Sequence, residues 1–211
     1  SPDGNWGLIA DGNKVMEIYA GSALDILPSR YPALNNKYVK VVGNMSQYTG
    51  NMQIGFISEI KKATAADLEQ DFTSPIYEEL TAAQLATMTP GLQVVNGLNL
   101  TNALKSVKGK YVANSVSGSV ALGSRFTFKV DVGGKQLTVA YDYHVDKYGD
   151  DVDTSSMKLV IDQLKAVMAN PSQEFEIKGT LRYSGSNTNP FNQTSGEYQL
   201  VPFLGEQITR A

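Results

Sequence analysis

The sequence predicts a mainly β protein with minor α content, built as two small five-stranded barrels in tandem and joined by a short helical linker. Three observations predict it. Apolar residues make up 42% of the chain and charged residues only 18%, with Gly and Tyr frequent, which suits a strand-rich globular protein rather than a disordered one. A hairpin pattern with a glycine inside its first strand occurs twice, and a single amphipathic helix stands directly before the second copy.

The repeat fixes the architecture more firmly than local propensity does. Its first copy runs Tyr-Val-Lys-Val-Val-Gly-Asn-Met-Ser-Gln-Tyr from Tyr38 to Tyr48, then Gly-Asn-Met-Gln-Ile, and closes at Ser58-Glu59-Ile60. The second runs Phe175-Glu-Ile-Lys-Gly-Thr-Leu-Arg-Tyr183, then Gly196-Glu-Tyr-Gln-Leu200, and closes at Glu206-Gln-Ile208. Gly43 aligns with Gly179, Met45 with Leu181 and Gln53 with Gln199. In a small closed barrel one strand must curl to serve two sheets, and a glycine permits the bend that a Cβ obstructs. Taken singly, each glycine could merely end a strand; the repetition favours the bend.

In the first half, Gly7 to Ala10, a turn at Asp11-Gly12-Asn13, and Lys14 to Ala20 read as two strands ahead of the repeated hairpin, with Pro28 and Pro32 in the connector. The opening strand of this module is missing before Ser1 or supplied from elsewhere. Thr64 to Gln70 and Leu80 to Met88 read as short linker helices, parted by Thr73-Ser74-Pro75 and ended by Thr89-Pro90-Gly91. A strand is expected over Gly109 to Val120. Arg125 to Val132 and Lys135 to Val145 then alternate apolar and polar residues about a primed Gly133-Gly134 turn. From Thr154 to Ala169, Met157, Val160, Ile161, Leu164 and Met168 form one apolar stripe, with cap oxygens at Asp153, Thr154 and Ser155 and a stop at Asn170-Pro171. The expected divisions are 1–63 for the first module, 64–98 for the linker and 99–211 for the second module.

Three strands, a helix and two further strands, with a glycine in the fourth strand, resemble the OB fold, a five-stranded Greek-key barrel. The phrase Val39-Lys-Val-Val-Gly43, the tyrosine-containing turn and the strand with Gln before an aliphatic residue are similar to OB-like modules of Bacteroidetes envelope lipoproteins of unassigned function. That resemblance implies an exported chain, periplasmic or at the outer-membrane surface, touching the membrane only through a lipid anchor upstream. The chain starts at Ser1 without Met, as a trimmed or mature form would, and no stretch of about 18 apolar residues is present.

Composition narrows the chemistry. The chain has no cysteine, which removes disulfides, thiolate catalysis and Cys-ligated metals. A net charge of −3, with arginine only at positions 30, 125, 182 and 210, lowers the expectation of nucleic-acid binding, since nonspecific affinity needs concentrated positive charge. His144 is the one histidine and falls with Asp142 on the solvent side of an alternating strand, where an ordinary surface role outweighs proton transfer. Asp142, Asp146, Asp150, Asp151 and Asp153 gather oxygen donors that could collect calcium, yet they lack the EF-hand pattern, and capping of the following helix accounts for Asp151 and Asp153. Gly133-Gly134 joins strands and is no phosphate loop. Sequons at Asn44, Asn99 and Asn192 matter only in a eukaryotic secretory host.

No catalytic group, metal or cofactor is therefore expected, and binding is the expected class. The OB resemblance places ligands over strands two and three and in the one-to-two and four-to-five loops. The candidate residues are Tyr48, Arg125, Phe128, Lys129, Tyr183, Asn189 and Phe191. The leading expectation is a noncatalytic binding or assembly module of a bacterial cell-envelope protein, with an oligosaccharide or a protein as ligand. Its alternative is a single-stranded nucleic-acid-binding OB protein, for which Arg125, Lys129 and Lys135 supply the cations among aromatics.

Overall fold

The computed structural model describes residues 6–19, 37–48, 51–67, 74–88, 94–95, 98–99, 103–142, 155–185, 196–202 and 208–211. In chain order, β1 (Trp6–Asp11) and β2 (Lys14–Tyr19) form one hairpin, and β3 (Val39–Tyr48) and β4 (Asn51–Lys62) a second. A 3-10 turn at Ala65–Asp67 leads towards β5 (Glu78–Glu79) and α1 (Ala82–Thr87), followed by β6 (Val94–Val95) and β7 (Leu98–Asn99). Then come β8 (Ala103–Tyr111), β9 (Ser117–Gly118), β10 (Arg125–Val132), β11 (Lys135–Asp142), α2 (Ser155–Ala169), β12 (Glu174–Gly185), β13 (Gly196–Val201) and β14 (Ile208–Arg210).

Alternation in β10 turns Phe126, Phe128, Val130 and Val132 inward, and β11 adds Leu137, Val139 and Tyr141 from the same side. Gly133 and Gly134, both at positive φ, make the tight turn between them. β10 pairs antiparallel with β8, β11 parallel with β13, β13 antiparallel with β12, and β12 antiparallel with β8 again. The strand circuit β8-β10-β11-β13-β12 is thus closed, in the order 1-2-3-5-4-1 of an OB barrel. Val160, Ile161, Leu164 and Val167 of α2 pack into one core with this ring.

β12 does two jobs, pairing with β14 up to Ile177 and with β13 from Thr180. Gly179 sits at the changeover, where a Cβ would lie 2.4 Å from the Val201 carbonyl oxygen. Gly43 meets the same constraint in the first half, 2.7 Å from the Gly55 oxygen, beside a register shift between Val42 and Asn44. Both glycines are therefore required by close backbone approach, as the bend expectation holds. Across from the Gly43 bulge, Phe56 takes a φ of 47, which is unusual for a bulky side chain.

Among the described residues the first half forms no closed ring. Among the described residues its strands run β1-β2-β4-β3, with antiparallel, parallel and antiparallel pairings, and neither β1 nor β3 has a neighbour on its outer edge. Of the two expected barrels one is closed; of the other the described residues form a four-stranded sheet, without the opening strand that was expected to be missing or supplied from elsewhere. The sheet's core is correspondingly small: Ile18, Ile57 and Ile60 are buried, with Ile9, Val41 and Ile54 packed against them. A single pairing, Lys14 with Ala103, joins sheet and barrel into one hydrogen-bonded network, so Gly43 and Gly179 share it without being neighbours.

Two further differences concern the middle of the chain. The expected strand over Gly109 to Val120 lies instead at Ala103–Tyr111, because Val107 faces the core and residues 103–110 pair along β12. The segment expected as linker also belongs to the barrel: Leu80 is buried in its core, with Leu85 and Met88 packed alongside. Thr81 caps α1, its hydroxyl accepting from the Gln84 N–H while Gln84 Oε1 accepts from the Thr81 N–H. No helix among the described residues is long and apolar enough to cross a membrane, which says nothing of β-barrels.

Beside β5, Lys105 is buried and its ammonium donates to Glu78 Oε2 at 2.7 Å, while the Asn13 amide donates to Glu78 Oε1. The Lys105 hydrogen bond holds the Glu78 carboxyl below its ordinary value of 4.5, against a smaller opposing effect of burial. A carboxyl depressed in the folded state contributes stability that is complete above its ordinary value and is lost as pH falls below it. Chemical denaturation of Glu78→Gln should show a loss of about 1–3 kcal/mol at neutral pH, from leaving a buried ammonium underpaired, and the wild-type excess should shrink as pH falls below 4.5 and disappear once the depressed carboxyl is itself protonated. Gly179→Ala should cost about 1–3 kcal/mol by urea unfolding, since backbone rather than a movable side chain occupies the space.

Candidate nucleic-acid interface

The outward positions of β10 are Arg125, Thr127, Lys129 and Asp131, with Arg125 and Lys129 exposed and about 13 Å apart along the strand. β8 adds exposed Lys108 and Lys110 on the neighbouring strand, and Lys110 is the register partner of Asp131. Lys135 stands exposed at the start of β11. Acids border this strip: Glu174 and Glu176 are the register partners of Lys110 and Lys108, and Glu176 also lies 3.7 Å from Lys178. The Asp131 carboxylate is occupied by the Gly134 N–H at 2.7 Å, which draws it towards the turn.

The one-to-two connection, residues 112–124, is pinned on β10. Ser117–Gly118 pairs with Phe126 and Thr127, and the Val112 N–H donates to the Lys129 carbonyl at 2.9 Å. The Ser115 hydroxyl accepts the Lys129 N–H at 2.9 Å and donates to the Val112 carbonyl at 2.6 Å. Gly118, at φ 96, permits this approach, because a Cβ there would stand 2.4 Å from the Arg125 carbonyl oxygen. Val116 and Val120 anchor the loop against the core, so the cations flank a fixed wall.

β11 offers less. Thr138 and Ala140, although outward, are buried; Thr138 donates to Glu197 Oε2 at 2.7 Å, and Gln199 donates to Glu197 Oε1 at 3.1 Å. Leu85 and Met88 come down beside them, leaving a cavity of about 220 Å³ lined also by Gln136, Leu137, Gly196, Glu197 and Tyr198. The accessible part of the barrel wall is therefore β10 with the end of β8, not β10 and β11 equally.

Of the residues picked from sequence, Arg125 and Lys129 come together on this strip. Phe128 and Tyr183 do not: they are 1% and 0% exposed, and their assignment as ligand-contacting residues is corrected. The period of two that turns Arg125 and Lys129 outward turns Phe128 inward, and the same parity in β12 sends Tyr183 in with Leu181. Phe128 instead meets Tyr111 edge-on at 5.9 Å, and Tyr183 meets Tyr198 edge-on at 5.2 Å. Deeper in the core Phe126 stacks on Tyr141 at 5.1 Å, and burial pushes the Tyr141 hydroxyl above its ordinary value. Tyr48 ends β3 opposite Asn51, in the open sheet and away from the strip. Asn189 and Phe191, and likewise His144, Asp146, Asp150, Asp151 and Asp153, lie outside the described residues. Lys108 was missed because the strand was expected to begin at Gly109.

The strand order and the cationic strip define an OB-type barrel with a polar, positively edged outer wall. No family model matches the chain, and no curated protein matches it. Solved structures do. The Ifi202 HINa domain in complex with 20-bp double-stranded DNA is 9% identical at a TM-score of 0.38, covering 98% of this chain and 84% of that one. A murine DNA-binding protein bound with double-stranded DNA is 12% identical at 0.36, with 98% and 84% covered. A replication protein A heterotrimer bound to single-stranded DNA is 15% identical at 0.35, covering 96% of this chain and 44% of that one. Likeness this distant transfers no function. The structures returned are nucleic-acid complexes and not envelope modules, and the expectation of an envelope module taking an oligosaccharide or a protein is corrected to that extent.

If Phe128 is core and not platform, Phe128→Ala should lower stability by about 3–5 kcal/mol in urea unfolding, the size of a lost buried aromatic ring.

Proposed function

We propose that the barrel is a noncatalytic module that binds single-stranded nucleic acid across the outward face of β10 and the end of β8. The observation that carries this reading is the placement of exposed Arg125 and Lys129 on the second strand of an OB-ordered ring, with exposed Lys108 and Lys110 alongside and the pinned 112–124 loop as one wall. Cations on a fixed strand neutralise successive phosphates without ordering a flexible arm. With Phe128 and Tyr183 inside the core, affinity here comes mainly from phosphate contacts and is tolerant of sequence.

Fluorescence anisotropy with a labelled oligonucleotide, titrated over a salt series, tests it. Binding at low salt should fall linearly in the log–log plot, and the Arg125→Ala/Lys129→Ala double variant should bind at least several-fold more weakly, with the slope shallower by about 1.4 for two lost phosphate contacts. Absence of binding to single strands at low ionic strength would end this reading.

A further inference from the structure

We infer that the open sheet is a strand-accepting site: the gap between β1 and β3 takes one extended polypeptide strand from a partner, antiparallel to both, and so completes a second barrel. The closed barrel in the same chain states what is missing. Its ring without β8 is β10-β11-β13-β12, paired antiparallel, parallel, antiparallel; the open sheet is β1-β2-β4-β3 with the same three pairings in the same order. β8 alone pairs with both ends of the first set, antiparallel to each, and no described residue does so for the second.

The registers match residue by residue. In the open sheet Ile18, Ile54 and Met45 are successive register partners; in the barrel the row is Val139, Leu200 and Leu181, and it continues to Ala103 of β8. Where the row continues, Leu181 is 0% exposed; where it stops, Met45 is 57% exposed. Val39 and Val41 are likewise only half-buried, while their counterparts Phe175 and Ile177 are buried. Of the large apolar side chains exposed among the described residues, Tyr19, Tyr38, Val42, Met45 and Phe56 all belong to the open sheet or its margin. Among the described residues the outer edges of β1 and β3 have no strand partner, and the pairing order shared with the barrel sets both against one gap; such edges call for main-chain hydrogen bonding on both sides, which a polypeptide strand supplies and a nucleic acid or glycan does not. The occupant follows β8 in kind: about nine residues, apolar at the places of Ala103 and Val107, and a small residue near the place of Gly109, whose Cβ would stand 2.4 Å from a β10 carbonyl oxygen. This inference is independent of the nucleic-acid reading, since it concerns the other half of the chain.

Hydrogen–deuterium exchange on the 211-residue chain tests it, first alone and then with a synthetic peptide of β8's sequence, residues 103–111. A second protein carries a copy of residues 103–124 fused ahead of Trp6, so that the strand arrives with its own connection at high effective concentration. Support would be fast exchange of the outer-edge amides of β1 and β3 in the chain alone, slowed about tenfold by the peptide or by the fusion, with β10 and β12 unchanged. A peptide carrying proline at alternate positions should give no protection, having lost its donors. The inference is overturned if those edges are already protected in the isolated monomer, which would mean the chain fills its own gap. It is equally overturned if their protection rises with protein concentration as dimers form, which assigns the gap to a second copy, or if neither peptide nor fusion slows them.

Discussion

Everything in the barrel depends on β8 being hydrogen-bonded on both sides. Between β10 and β12 it converts a curled sheet into a ring, and only a ring gives α2 a closed floor on which to bury Val160, Leu164 and Val167. The cost of such curvature is local crowding, borne at Gly109 and Gly179, where neighbouring carbonyl oxygens leave no space for a side chain. The first half of the chain serves as an internal control. It has the remaining strand order and the same glycine at its bend, lacks the double-sided strand among its described residues, and buries only a handful of isoleucines.

The same period of two that builds the core decides which chemistry reaches the surface. On β10 it separates Phe126, Phe128 and Val130 from Arg125, Thr127 and Lys129 with no exceptions, so aromatic area goes to stability and charge goes to solvent. On β11 the outward Thr138 and Ala140 are buried, Thr138 beside Leu85 and Met88, which shifts the open wall towards β8. An acidic chain thus sets Arg125, Lys129, Lys108, Lys110 and Lys135 on or beside one strand, although Glu174, Glu176 and Asp131 temper the field.

Much of this was legible in the residues. The Gly43 and Gly179 repeat, the Gly133-Gly134 turn, the helix stripe through Val160 and Leu164 and the order of the second half all come from strong local signals that tertiary packing then uses unchanged. Two things were not legible, and a third was legible but misread. The start of β8 was hidden because Lys105 and Ser106 are polar yet buried, which breaks the alternation that marks a strand. Leu80 looked like linker because two-residue β5 and six-residue α1 are too short to show a period. Phe128 and Tyr183 looked like ligand contacts because aromatic residues next to cations invite that assignment, whereas the parity of the strand, available from Arg125 onward, already sent them inward.

The way the open sheet is fastened to the barrel has a mechanical meaning. The Gly12 and Asn13 carbonyls accept from Ile76 and Leu104, Lys14 pairs with Ala103, and Asn13 reaches the very carboxylate that Lys105 holds. All of these grip a single tight corner, so the two halves share a pivot, and the pivot is built into the first residues of β8. Swivelling one half against the other must therefore tug on the strand that locks the ring, and the tilt between them and the integrity of the barrel's seam cannot vary separately.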